Sequence, residues 1–174
     1  MTALDRLSPT SSGGELRAII ETPQGSRNKL KFEPADEVFA VSASLPAGMS
    51  FPFDFGFIPG TRAADGDPLD VLVLMDGPAY PGTAVEIRLI GVLEAMETGP
   101  KGKMVRNDRL IGVAKGSTER GDLHRLADLA PKLMKQIESF FETYNKLEQK
   151  AFEPRARRGP NRAAVLMRKA VVSD

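Results

Sequence analysis

The sequence predicts an α+β protein: a small β-barrel with one long helix in the C-terminal half and a short terminal helix packed on it. Two patterns lead there. Short apolar segments separated by Gly and Pro fill the first two-thirds of the chain, as strands and turns do. From Pro131 to Gln149, Leu133, Ile137, Phe140, Phe141, Tyr144 and Leu147 recur at steps of three and four, the spacing of one helix face. Several strands followed by one strong helix place the helix across a barrel.

The elements read in order. An apolar run at Arg17 to Ile20 comes first, then Arg27 to Phe32, where Leu30 and Phe32 alternate with Lys29 and Lys31. Glu33-Pro34-Ala35-Asp36-Glu37 is a turn from which Val38 to Ser42 returns as a partner strand. Val71 to Leu74, Val85 to Leu93 and Leu110 to Ala114 add further strands, punctuated by Pro78, Pro81, Gly82 and Gly99-Pro100. Pro131 suits the first turn of the long helix, with Asp128 a candidate cap or early-turn acid. Pro154, Gly159 and Pro160 interrupt the chain before a terminal helix at Ala163 to Val171. The implied organisation is a flexible Ser/Gly/Thr-rich segment at 1–14, a barrel domain at 15–152 and a basic extension at 153–174.

Composition narrows the function. At 174 residues the chain has the size of one domain. Lys+Arg number 24 against 23 Asp+Glu, and a net charge of +1 speaks against a nucleic-acid partner. Two tyrosines and no tryptophan also leave few aromatics for stacking on bases. With no cysteine and the single His124, expected at the surface or a helix entry, thiolate chemistry and multi-histidine zinc sites are excluded. No apolar run nears the ~20 residues of a membrane span. The start, MTALDRLSPTSSGGE, does not read as a signal peptide, so a cytoplasmic protein without a membrane partner is expected.

Charge is unevenly distributed. Residues 65–76 carry four aspartates and no basic residue, whereas Arg155 to Lys169 carries six basic residues and no acid. The sharpest feature is Asp65-Gly66-Asp67-Pro68-Leu69-Asp70-Val71. Three carboxylates on a Gly/Pro turn repel one another and add nothing to a core, but they suit a hard cation that takes oxygen ligands. A solvated acidic turn is the plain alternative. An EF-hand loop fails on spacing, since counting from Asp65 its sixth position is Asp70 and its twelfth is Asp76.

That stretch resembles the Asp-x-Asp-Pro-x-Asp signature of the soluble inorganic pyrophosphatases. Glu21-Thr22-Pro23, Gly25-Ser26-Arg27-Asn28-Lys29, Phe55-Gly56-Phe57-Ile58-Pro59 and Phe140-Phe141-Glu142-Thr143-Tyr144 are similar to the family's other blocks, in the same order across residues 16 to 152. The resemblance implies a closed barrel like the OB-fold, several Mg²⁺ ions (or Mn²⁺), and hydrolysis of pyrophosphate by direct attack of water without a phosphoenzyme. It implies metal binding by Asp65, Asp70, Asp67, Glu97 and, through water, Glu21. Asp67 would deprotonate the attacking water. Lys29, Lys103 and Tyr144 would bind phosphate, with Lys29 and Tyr144 counted as catalytic. A homo-oligomer, dimer or hexamer, is implied as well.

The sequence also departs from the family pattern. Phe51 and Phe55 stand where the family has tyrosines, Ala43 in place of a phosphate-binding arginine, Lys31 and Lys101 in place of carboxylates, and Asn145 in place of a lysine, with Lys146 next to it. Arg106, Arg109 and Lys115 lie near the later loop without any indication of which way they point. These changes leave open a weakened or inactive relative that binds phosphate, metal or a partner, or a hydrolase of another small phosphoanhydride.

Overall fold

A computed structural model describes residues 3–172, the side chain of Pro100 excepted. The strands are β1 (Leu16–Thr22), β2 (Asn28–Glu33), β3 (Val38–Ser44), β4 (Asp54–Ile58), β5 (Leu69–Leu74), β6 (Ala84–Thr98), β7 (Met104–Arg106), β8 (Arg109–Ala114) and β9 (Phe152–Arg158). The helices are α1 (Pro131–Leu147) and α2 (Pro160–Ala170). Strands β1, β4, β5, β8 and β6 pair in that order, and β6 pairs back with β1, closing a five-stranded barrel. Only β5–β8 is parallel within the ring. β7 and β9 extend β6 beyond the ring, and β2 and β3 form a separate hairpin.

Alternation along each strand sends side chains to opposite faces of the ring. One core takes Ala18 and Ile20 from β1, Ile58 from β4, Val71 and Val73 from β5, Ile87 and Val92 from β6, and Leu110 from β8, with Ala163 of α2 against it. The opposite face splits in two. Leu72, Leu74, Ile90, Leu93, Ile111 and Val113 pack under Met134, Ile137, Phe140 and Phe141 of α1. Ile19 and Phe57 pack against Phe32, with Phe39 beside them, so the hairpin covers what α1 leaves bare. α1 and the hairpin thus stand side by side on the barrel wall.

The expected strands and both helices appear with shifted bounds. β4 was legible only as part of a motif, and β7 and β9 were not anticipated. Residues 153–158, read from sequence as the start of a basic extension, form β9 on β6, and α2 packs on the barrel, so the sheet continues through that boundary. The three arginines of β9 are all exposed and all ion-paired, Arg157 with Glu138 of α1 at 2.7 Å among them, which masks the strand pattern. The N-terminal segment, described from residue 3, lies against the barrel, the Gly60 N–H donating to the Asp5 carbonyl at 2.8 Å. Asp128 does not cap α1. It accepts from the N–H groups of His124 and Arg125 and closes the single turn Leu126–Asp128, while Ala130 precedes α1 without a side-chain cap. His124 is exposed, and among the described residues no helix is long and apolar enough to cross a membrane.

Gly56 lets β1 and β4 approach. A Cβ there would lie 1.9 Å from the Ile19 carbonyl oxygen, so any side chain forces two ring strands apart. Gly56→Ala is expected to cost about 3 kcal/mol of stability in urea unfolding; unchanged stability would mean that the ring yields easily at this pair.

Candidate active site

A cleft of about 440 Å³ opens on the outer barrel wall, where the hairpin, the turn before β5 and the end of α1 meet. Each wall has a local cause. Gly66, at φ 96°, lets the turn reverse; the Asp67 N–H then donates to Asp65 Oδ1 at 3.1 Å, and the Ala63 N–H to the Asp67 carbonyl at 2.7 Å. The Thr61 hydroxyl accepts the Leu69 N–H at 3.0 Å and donates to the Ile58 carbonyl, tying the turn's end to β4. Across the cleft, the Thr22 hydroxyl bonds both the N–H and the carbonyl of Leu30, and Glu21 Oε1 accepts the Phe32 N–H at 2.8 Å. These bonds fix β2, and hence Lys29 and Lys31, over the end of β1.

Of the residues singled out in the sequence, Asp65, Asp67, Asp70, Glu97, Glu21, Lys29 and Tyr144 all line the cleft. Lys103 does not: it is exposed in the loop leading into β7, and Lys101 is likewise exposed there, at φ 62°. The cation that the later part of the chain supplies is Arg109, the first residue of β8. It is buried, with Nη1 at 2.8 Å from Asp70 and Nη2 at 2.7 Å from Glu97, and its guanidinium carbon lies 5.2 Å from the Phe141 ring centre. Asn107 joins it, donating to Asp65 Oδ2 at 3.0 Å and to Glu97 Oε2 at 2.8 Å. Sequence reasoning placed this contribution too early because residues 98–106 form an excursion off β6 that returns as β7. An arginine opening an otherwise apolar strand was the one available signal. Of its two neighbours, Arg106 pairs with Glu94 and Asp108, and Lys115 with Glu15.

Lys29 Nζ stands 5.0 Å above the Tyr144 ring, and Lys31 Nζ lies 3.0 Å from Asp67 Oδ2. Phe51 and Phe55 floor the cleft through rings alone, Phe51 lying 6.1 Å from Tyr144. Ala43 pairs with Lys29 across the hairpin and does not line the cleft. Asn145 is buried and donates to the Phe141 carbonyl, and Lys146 is exposed away from the cleft. Lys150 and Glu148, beyond α1, do line it and carried no signal in the sequence.

Burial shapes the ionisation. It raises the pKa values of Asp70 and Asp65, against the pull of Arg109 on Asp70 and of the Asp67 N–H on Asp65. It lowers that of Lys29, opposed by Asp70. Tyr144 is raised by burial and then by the charge of Glu148, so it remains a neutral donor. Its hydroxyl and Arg109 Nε are buried without an acceptor in the chain.

Glu21 shows the cost of this arrangement. Burial raises its pKa from 4.5 to about 7, despite the bond from the Phe32 N–H. In metal-free protein the folded state therefore holds a proton that the unfolded chain has released. Stability from this group is complete below about pH 4.5 and is lost as pH rises through about 7. Glu21→Gln is expected to stabilise metal-free protein at pH 8 by on the order of 2–3 kcal/mol, and to change nothing near pH 4.5, measured by urea unfolding at both pH values. An equal effect at the two would show that Glu21 is ionised throughout.

Comparison with known proteins agrees with this arrangement. Residues 18–173 match the family model described as inorganic pyrophosphatase. The chain is 35% identical over 150 residues to the inorganic pyrophosphatase of Synechocystis sp., covering 86% of each. It is 39% identical over 132 residues to that of Thermus thermophilus, covering 76% of this chain and 73% of that one. The crystal structure of the inorganic pyrophosphatase from Thermus thermophilus superposes with a TM-score of 0.88 at 32% identity, over 98% of this chain and 97% of that one. That from Neisseria gonorrhoeae gives 0.83 at 30%, over 95% and 94%. A barrel of the same form, matched along nearly its whole length and carrying the aspartate turn on its wall, places this chain in the inorganic pyrophosphatase family.

Proposed function

We propose that the chain hydrolyses inorganic pyrophosphate to two phosphates in this cleft, with Mg²⁺, or Mn²⁺ in its place, as cofactor. The observation that carries the proposal is the convergence of Asp65, Asp67, Asp70, Glu97 and Glu21 with Lys29, Arg109 and Tyr144 on one cavity of substrate size.

The donor set fits a metal that arrives with phosphate. Eight carboxylates and four cationic side chains line the cleft, a formal charge of −4, so a pyrophosphate anion needs added positive charge to enter. Every candidate ligand is a hard oxygen. Among the described residues no three acidic or imidazole groups gather closely enough to cage an ion by themselves. That suits Mg²⁺, which takes one or two carboxylates and completes its shell with water and substrate oxygens. When bound, the metal polarises the phosphoryl oxygens and makes a ligated water more acidic.

The chain's own groups supply the rest. The Tyr144 hydroxyl and Arg109 Nε, both buried without an acceptor, gain one in a phosphoryl oxygen, which removes a penalty of about 1–3 kcal/mol for each. Lys29, held over the Tyr144 ring, binds the same anion. Asp65, Asp67, Asp70 and Glu97 would hold metal, and Glu21 would order water. Arg109 takes the part the sequence assigned to Lys103. Asp67 has a side chain 58% exposed and an Oδ1 that Lys31 does not touch; there it takes the proton of the attacking water. A new P–O bond to water forms as the bridging P–O bond breaks, and the second phosphate leaves with the bridging oxygen. No bond from phosphorus to protein is made. Most of the acceleration comes from positioning and charge. Family membership alone extends the proposal to a cytoplasmic homo-oligomer.

Phosphate release from pyrophosphate is expected to require added Mg²⁺, and Asp67→Asn to lower kcat by about 100-fold or more with folding intact by circular dichroism. Turnover without added metal, or an Asp67→Asn variant at wild-type rate, would defeat the proposal.

A further inference from the structure

Among the candidate metal ligands of the cleft, Asp67 alone is held by a lysine; the cleft's other lysine–carboxylate pair, Lys150 with Glu148 at 3.7 Å, involves none of them. The Lys31 ammonium lies 3.0 Å from Asp67 Oδ2, and both side chains are substantially exposed, at 43% and 58%. Neither group is locked by burial, so the pair can open without disturbing the fold. Its neighbours are engaged elsewhere. Asp65 is occupied at both oxygens, by the Asp67 N–H and by Asn107. Asp70 and Glu97 are occupied by Arg109. A divalent cation entering an empty cleft at Asp67 must therefore displace or share space with a fixed positive charge. An incoming pyrophosphate alters the balance, because its oxygens offer Lys31 a stronger partner than a single carboxylate does.

We propose that Lys31 is a tethered cation that guards Asp67 in the resting enzyme, so that the metal ion at Asp67 binds only together with the phosphate substrate, to which Lys31 then transfers. Lys31 is a positioning residue in this scheme. It sets the order of assembly and adds a substrate contact of its own. The inference rests on the metal-dependent reading of the cleft, and the test separates the two.

The test counts Mn²⁺ bound per chain, from the loss of the free-ion electron paramagnetic resonance signal, with and without methylenediphosphonate as a non-hydrolysable probe. Wild type is expected to bind at least one more ion when the diphosphonate is present. Lys31→Gln, which removes the charge at a half-exposed position without threatening the core, is expected to bind that ion without the probe, about tenfold or more tightly, because a charge of +1 no longer opposes a charge of +2 within a few ångströms. Lys31→Glu should tighten it further, and Lys132→Gln, an exposed change at the start of α1, should match wild type. Equal counts with and without the probe in wild type, or a Lys31→Gln titration that overlays wild type, would overturn the inference while leaving the metal reading in place. No Mn²⁺ bound even with the probe would remove the metal reading and this inference together.

Discussion

Five carboxylates crowd one wall of a barrel, and their repulsion has to be answered from within the chain before any ion arrives. Arg109 gives the central answer. It bridges Asp70 on β5 and Glu97 on β6 from the first position of β8, the strand between them, so one guanidinium holds three ring strands at the same level. The faces of Phe141 and Phe152 keep it out of water, which strengthens both pairs and couples them to the seating of α1. Breaking such a pair from one side strands a buried charge and is costly. The cleft is therefore rigid at its floor. Lys31 and Asp67, which are both solvated, form its adjustable rim.

The barrel makes this possible by dividing labour between its two faces. One core uses every ring strand and is indifferent to the cleft. The other face is tiled by α1 and the hairpin, and the cleft is the seam between the tiles. Thr22 and Glu21 at the end of β1 tie the hairpin's backbone down, so a carboxylate that faces the cleft also secures the strand carrying Lys29. Structure and chemistry share residues here, and the raised pKa of Glu21 is one outcome.

Much of this was legible beforehand. The helical spacing from Leu133 to Leu147 and the apolar runs of β1, β5, β6 and β8 follow directly from which faces are buried. The aspartate turn stood out because three like charges on a Gly/Pro turn have no use in a core. What escaped had physical reasons. β9 reads as a basic tail because its arginines pair with acids such as Glu138 that lie far off in sequence. Lys103 was preferred to Arg109, whose direction nothing in the sequence indicated, because the length of the excursion between β6 and β8 cannot be read from composition, and the excursion decides which cation reaches the cleft. Lys150 enters only because the chain turns back after α1, at Gln149 with φ 58°.

The ring order has a consequence for how the chain is made. β8 sits between β5 and β6, so the barrel cannot close until the last of its ring strands, ending at Ala114, has left the ribosome. The aspartate turn emerges some forty residues earlier than Arg109. For that interval a nascent chain carries its most strongly repelling segment without the internal cation that later holds Asp70 and Glu97. The non-local pairing of β1 with β6 and of β6 with β9 further delays native order until β9 has emerged. Vectorial synthesis thus leaves the acidic wall without its internal cation until β8 has emerged.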